Sequence, residues 1–248
     1  MAKPVLYVFA ISHYCEKARW ALDFLEIDHT IAYPPPGLHQ RLAKKLGAAR
    51  SALPILVADG QSLQGSAKII YWADATIPHT SKCLTIESAR ADCLEIETQL
   101  DRQLGVHIRR YYYFEALVEH PHTVRPIFTK DLPVLRKLLA GATWNVIRAR
   151  MIGGLDLGLE QGQQSKQIVA SELDWLDTLL SDGRRNLAGE EFSRADIAAA
   201  SLLAPLVTPK QRPVYAGLEL PPRLADDVAS WKDRPSLQWF RQLYADYR

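Results

Sequence analysis

The stretch "YVFAISHYCEKARWAL", residues 7–22, decides how the first part of this chain is read. It begins inside a compact apolar run, "PVLYVFA" (4–10), whose Val, Tyr and Phe predict a buried strand. Ser12 follows in the position of a helix N-cap, where a side-chain oxygen takes an orphan backbone N–H of the first turn. Cys15, Ala18, Leu22 and Leu25 then recur at helical spacing and put an apolar stripe on a helix of about four turns. A hydroxyl and a thiol therefore sit three residues apart where a strand becomes a helix. Read locally, Ser12 is a plain N-cap, and Cys15 is a buried, inert thiol heading the stripe.

Working outward, "HTIAY" (29–33) reads as a second short strand, broken by "PPPG" (34–37). "LHQRLAKKLGA" (38–48) reads as a short helix. "LPILVADGQSLQG" (53–65) is a hairpin, with Asp59-Gly60 as its two-residue turn. "SAKIIYWADATI" (66–77) is another helix. The order β-α-β-α-β-β-α predicts a small α/β layer on a mixed sheet. "PHTSK" (78–82) reads as linker, and helical periodicity dominates afterwards, over about 86–119, 131–151, 165–182, 194–206 and 236–247. Ser193 and Asp196 form a capping-box-like start to one of these helices. A break falls in 153–164, and "PKQRPVYAGLELPP" (209–222), with its four prolines, reads as an ordered loop. The expected organisation is an α/β domain over 1–77, a linker over 78–85 and an all-helical bundle over 86–248. Trp144, Trp175, Trp231 and Trp239 are expected core anchors.

Of the 248 residues, 48% are apolar and 23% charged, as in an ordinary globular protein. The net charge of +2, from 30 basic and 28 acidic residues, makes no electrostatic case for nucleic acid or a membrane surface. No stretch approaches the roughly 18 apolar residues of a membrane span. The N-terminal apolar run is short and leads straight into His13, Glu16 and Lys17, unlike a signal peptide. A soluble cytoplasmic protein is the expectation. The cysteines (Cys15, Cys83, Cys93) form no C-x-x-C, so neither a disulfide framework nor a metal site is expected. His120-Pro121-His122 reads as loop rather than metal ligands.

The chain resembles the cytosolic glutathione transferases at four places, in order and across both expected domains. "YVFAISHYCEKARWAL" resembles that family's first strand, active-site turn and first helix. "ALPILVADG" resembles its strand with a cis proline, "LQGSAKIIYWAD" its glutathione-clasping turn and third helix, and "FSRADIAAASLL" the S/T-x-x-D helix of its C-terminal domain. The resemblance implies a thioredoxin-like α/β domain followed by an all-α bundle, with glutathione as co-substrate and a homodimeric assembly. It matches Ser12 to the catalytic serine of the theta- and zeta-like classes, and also to the first Cys of the glutaredoxin C-x-x-C. It matches Leu53 and Pro54 to the pair whose backbone holds the cysteinyl part of glutathione. Ser66, with the backbone N–H of Gly65, falls where the γ-glutamyl end is held. Tyr7, in the first strand, is the second candidate for the catalytic hydroxyl. Two positions depart from the pattern: Gly65 replaces an acidic residue or Gln, and Ala52 a frequent Lys. His39, Lys44 or Arg50 would have to supply the missing charge.

The chemistry implied is thiolate activation. A helix N-terminus contributes typically about 0.3–1 kcal/mol to an anion, and up to ~2 when partly buried. A charge-assisted hydrogen bond adds roughly 1.5–3 kcal/mol. At about 1.36 kcal/mol per pKa unit, the two lower a thiol by one to three units, enough to ionise most of it near pH 7. The electrophile is expected between the domains, near His13, Tyr14, Arg109, Tyr112 and Tyr113, although packing within the helical part is the simpler reading of the tyrosines. Two other functions stay open: a binding or scaffolding protein that kept the fold, and a glutaredoxin-like oxidoreductase using Cys15.

Overall fold

Strand β1 (Val5–Tyr7) is the hub of a four-stranded sheet. It pairs in parallel with β2 (Thr30–Ala32) and antiparallel with β3 (Ile55–Ala58), and β3 turns back into β4 (Gln61–Gln64), giving the order β2-β1-β3-β4. The β3–β4 turn has positive φ at both central residues, 48° at Asp59 and 75° at Gly60, the twist a tight hairpin needs. The computed structural model describes residues 3–35, 37–77, 82–121 and 134–248, the side chains of 134–140 and 143 excepted.

Helices α1 (His13–Phe24) and α3 (Ser66–Thr76) pack against each other, and α2 (Leu38–Lys45) joins β2 to β3. Leu6 and Val8 of the sheet, Cys15, Ala18 and Leu22 of α1, and Ile69, Ile70 and Ala73 of α3 are all buried in one core. The rest is helical: α4 (Arg90–Arg102), α5 (Leu104–Tyr113), α6 (Val134–Leu155), α7 (Leu159–Leu179), α8 (Arg194–Val207), α9 (Pro222–Trp231) and α10 (Pro235–Tyr247). The fold is a thioredoxin-like α/β unit followed by a helical region, as the sequence order predicts. Among the described residues no helix is long and apolar enough to cross a membrane.

Helix α8 is the axis of the helical region, buried from Arg194 to Leu206. Its start is the expected capping box. Ser193 Oγ accepts from the Ala195 N–H, and Asp196 Oδ2 accepts from the Ser193 N–H at 2.8 Å. Asp196 Oδ1 also accepts from the Leu187 N–H at 2.7 Å, which ties in the preceding loop.

Several boundaries differ from the sequence reading. The helix expected over 86–119 is a 3-10 turn (Glu87–Ala89), then α4, α5 and a π-helical turn (Phe114–Glu119); it breaks at Gln103. The break expected over 153–164 narrows to Asp156–Gly158, where Asp156 takes φ 55°. The proline-rich stretch ends inside α9, whose first residue is Pro222, a position where the missing N–H costs nothing. The fully buried tryptophan is Trp20 of α1; Trp144 is buried, while Trp175, Trp231 and Trp239 only pack partly against the core. The linker residues 78–81, the first residues of the helix expected from 131, and His122 lie outside the described residues.

The two parts are joined by a buried ionic cluster. Lys17 of α1, with no exposed surface, lies 2.8 Å from Glu97 and 2.7 Å from Asp101 of α4. Arg194 of α8 lies 2.6 Å from the other oxygen of Glu97 and donates to Thr85 Oγ1 and to the Ala67 carbonyl of α3. Two cations face two carboxylates, so the buried charge balances. Removing one partner leaves an uncompensated charge in the interior. Lys17→Met should therefore lower the unfolding free energy by roughly 3–5 kcal/mol in urea denaturation. A loss below about 1 kcal/mol, the range of an exposed pair, would show that the cluster does not hold the two parts together.

Candidate functional site

The turn between β1 and α1 is short and tightly bonded. The Ser12 N–H donates to the Phe9 carbonyl at 3.0 Å, and α1 starts at His13. Ser12 is the N-cap, and its Oγ accepts from the Cys15 N–H at 3.3 Å. The Ser12 hydroxyl also hydrogen-bonds the Cys15 side chain, so a bound sulfur would have to compete for its proton. Next to it, the register Tyr7↔Ile55 carries Pro54 to the level of Val8, at the edge of this turn. The Leu53–Pro54 peptide bond is cis, as the resemblance implies. Among the described residues, neither the N–H nor the C=O of Leu53 makes a hydrogen bond. The Gly65 N–H donates to the Pro54 carbonyl at 3.0 Å, and Ser66 opens α3. Ser12, Leu53, Pro54, Gly65 and Ser66 thus gather at one end of the sheet, with the N-termini of α1 and α3.

Gly65 has φ +99°, a conformation that L side chains rarely adopt. A glycine here is a backbone requirement of the entry into α3. Gln64, which the sequence reading passed over, clasps the opposite loop. Its Nε2 donates to the carbonyls of Arg50 (2.6 Å) and Ala52 (2.8 Å), and its Oε1 accepts from the Arg50 N–H (3.0 Å). That pins the segment leading to Pro54. His39 comes close by another route, its ring 4.9 Å from that of Phe9, edge to face.

His13 and Tyr14 dock α1 onto the break between α4 and α5. His13 Nε2–H donates to the Gly105 carbonyl at 2.9 Å, and Tyr14 Oη–H to the Asp101 carbonyl at 2.6 Å. A Cβ on Gly105 would meet Tyr14 Oη at 2.5 Å and Leu202 Cδ2 at 2.9 Å, so the contact is closed to any larger residue. Beside it stands Arg109, half-buried on α5. Among the described residues no carboxylate pairs with it, whereas Arg110 turns to Asp156 at 3.6 Å. The Arg109 charge acts on His13, Tyr14 and Tyr113. Burial raises the Tyr113 hydroxyl to about 12, against the pull of Arg109. Tyr112 is buried and meets Tyr113 edge to face at 5.5 Å. Of the expected electrophile-pocket residues, His13, Tyr14, Arg109 and Tyr113 come together at the α1 terminus. Tyr112 packs inside the helical part. Tyr7 alternates with Leu6 and Val8 along β1, which puts its side chain on the sheet face away from their core.

Cys15 is 2% exposed, and its Sγ accepts from the Phe9 N–H at 3.4 Å. Burial raises its thiol to about 11, so it stays protonated at neutral pH. Arg212, from the proline-rich stretch and 6% exposed, clamps the turn from the far side by donating to the Ala10 carbonyl at 2.6 Å. No local pattern in the sequence marks either Gln64 or Arg212, because both act across 12 residues or more.

Residues 6–81 match the family model described as "Glutathione S-transferase, N-terminal domain". No curated protein matches the chain. Among solved structures, a glutathione S-transferase of Ceriporiopsis subvermispora in complex with glutathione aligns with TM-score 0.64 and 15% identity, over 98% of this chain and 96% of that one. The beta-etherase LigF of Sphingobium sp. aligns with TM-score 0.62 and 17% identity, over 97% and 99%. A glutathione S-transferase of Methylobacterium radiotolerans in complex with glutathione sulfonate aligns with TM-score 0.57 and 17% identity, over 96% and 93%. At these identities the likeness is one of fold, and it extends over both parts of the chain.

Burial first, and then the Arg109 charge, hold the His13 imidazole down to about 3. The folded protein therefore excludes a proton that the unfolded chain takes up below about pH 6.5. This stability is complete above that pH and is lost as pH falls towards 3, at roughly 1.4 kcal/mol per pH unit. The gap between urea midpoints near pH 7 and pH 5 should be narrower in His13→Gln than in the wild type, the remainder coming from other groups such as His39 and His107, whose imidazoles are also lowered by burial. Parallel acid sensitivity in both proteins would remove His13 as its source.

Proposed function

We propose that the chain binds glutathione at the β1–α1 turn and activates its thiol for attack on a small hydrophobic electrophile. The observation that carries this reading is the convergence of a serine-capped helix N-terminus, a Leu53 backbone unpaired among the described residues and the Gly65–Ser66 entry of α3 at one end of the sheet. Leu53 offers one N–H and one C=O to an extended peptide. Ser66 and the open first turn of α3 offer donors to a carboxylate. Two of the structures similar in fold are complexes with glutathione or its sulfonate, which supports the same placement here.

In the proposed reaction Ser12 donates its hydroxyl proton as a hydrogen bond to the glutathione sulfur, and the thiol proton leaves to solvent. The α1 N–H groups face the same sulfur. Arg109, which no carboxylate pairs with among the described residues, adds positive potential at that terminus. The thiolate forms a bond to an electrophilic carbon, and the departing group takes the electron pair of the bond that breaks. The neutral state of His13 means that the imidazole positions the helix and takes no proton at neutral pH. The same reading extends to a homodimer, a cytoplasmic location and a division of the chain into 1–77 and 86–248.

A second reading, binding without catalysis, is favoured by one observation: Gly65 offers no side chain, and Gln64 is committed to Arg50 and Ala52, so the amine of a γ-glutamyl group meets no carboxylate there. The glutaredoxin-like reading asks Cys15 to be a thiolate, against a thiol raised to about 11.

Calorimetric titration with glutathione separates these. Binding, with the bound thiol ionised near neutral pH by ultraviolet thiolate absorbance, is the expected result. Ser12→Ala should raise the bound thiol by about one to two pKa units and lower kcat/KM roughly tenfold or more. Loss of the cap also costs about 0.5–2 kcal/mol of stability, so the thiol titration, read on folded protein, is the decisive measurement. Absence of heat with wild-type protein, or an unchanged thiol in Ser12→Ala, would sink the enzymatic reading.

A further inference from the structure

Helix α2 has two unlike faces. Ala43 is buried, and His39, Leu42 and Leu46 are half-buried, so these four mark the side that turns inward. Helical spacing puts Leu38, Arg41 and Lys45 in one stripe on the other side, with Lys44 beside it. All four are exposed, Leu38 at 54%. Tyr33, 58% exposed, stands directly after β2, ahead of the helix.

The charge of this face is uncompensated. From His29 to Ala58 the chain carries no Asp or Glu, while Arg41, Lys44, Lys45 and Arg50 are all exposed. Among the described residues no carboxylate pairs with any of the four. The flanking acids are engaged elsewhere: Asp28 lies 2.6 Å from Lys3, and Asp59 holds the β3–β4 turn. The whole-chain balance of +2 averages over this face and hides it. The helix dipole accounts for Lys44 and Lys45, which lie in the last turn. It does not account for Arg41, nor for two large apolar side chains left in water at the start of the same segment.

We propose that α2 and Tyr33 form a docking face for an anionic lipid surface. The outward stripe is a convex ridge, which fits a flat partner better than a peptide, whose recognition needs a groove or a free strand edge. Its parts match the layers of a bilayer interface. Leu38 and Tyr33 enter the boundary between headgroups and acyl chains. Arg41, Lys44 and Lys45 lay their stems along it and keep their charges among the anionic headgroups. A few cations and two apolar side chains make a reversible attachment that needs both. The proposal does not rest on the glutathione reading.

The test is co-sedimentation of the full chain with vesicles of phosphatidylcholine alone, or of phosphatidylcholine mixed with phosphatidylserine. The chain should pellet with the mixed vesicles only. Salt of about 1 M, where screening acts over ~3 Å, should release it. Arg41→Gln combined with Lys45→Gln should lower the partition coefficient roughly tenfold or more, at about fivefold per cation. Arg41→Lys combined with Lys45→Arg should keep it. Tyr33→Ser combined with Leu38→Ser should lower it roughly tenfold or more with the charge untouched. The substituted positions are exposed, so the variants keep the fold, and His39, Lys44 and Arg50, the cations weighed for glutathione, stay in place. No pelleting with either vesicle, equal pelleting with both, or undiminished binding by the Gln or the Ser double variant would each overturn the proposal. Capture on immobilised poly-glutamate in preference to the mixed vesicles would overturn it in favour of an acidic protein partner.

Discussion

A lysine with no exposed surface is held between two carboxylates, and the placement of α1 depends on it. Lys17 has no contact with water, and its Nζ is flanked by Glu97 at 2.8 Å and Asp101 at 2.7 Å. Those carboxylates belong to α4, and Arg194 of α8 completes the cluster from the other side. The constraint is geometric as well as electrostatic. A buried ion pair tolerates little displacement, because separation leaves two uncompensated charges in a medium that solvates them poorly. Helix α1 is therefore fixed in rotation and translation against the helical region. Tyr14 and His13, one turn earlier, add hydrogen bonds to carbonyls at the α4–α5 break. The N-terminus of α1 inherits that rigidity, and Ser12 with it.

The electrostatic character of the turn follows from the same docking. Burying His13 against Gly105 removes its charge. Tyr14 and Tyr113 are neutral, among the described residues no carboxylate pairs with Arg109, and Arg212 stands behind Ala10. A helix N-terminus with the Arg109 guanidinium beside it is a place for an anion. The anion is not the protein's own sulfur. Cys15 occupies the first turn, where the dipole favours a thiolate, yet burial raises it to about 11. Burial overrides a dipole effect of about 0.3–1 kcal/mol, because a sulfur packed in the core gives up more hydration than the helix end returns.

The parts of this arrangement that read from sequence are those governed by short-range rules. The Ser12 cap, the Asp59-Gly60 hairpin and the Ser193–Asp196 capping box each need only a few consecutive residues, and each stands where its pattern placed it. The cis bond before Pro54 came from resemblance rather than from local chemistry. What did not read is what depends on distant partners. Gln103 carries no helix-breaking side chain; the chain bends there where α1 presses Tyr14 and His13 onto Asp101 and Gly105. Gly105 itself is mild punctuation in a helical pattern, and its purpose shows only with Tyr14 against it. Gln64 looked like an ordinary strand residue, and Arg212 was lost in a proline-rich run. Both hold backbone carbonyls far away in sequence, of which periodicity carries no trace.

Gly65 shows how the two kinds of information meet. Seen as a letter, it is a missing acidic side chain in a glutathione clasp. Seen as a backbone, it is the residue that lets the chain enter α3 at φ +99° while its N–H reaches the Pro54 carbonyl. A side chain there would supply charge but would strain the turn into α3. In the proposed glutathione seat this position therefore offers no carboxylate. The donors left to that proposed seat are the Leu53 N–H and the first turn of α3, which suit an extended peptide and a carboxylate, because the Gly65 N–H is spent on the Pro54 carbonyl.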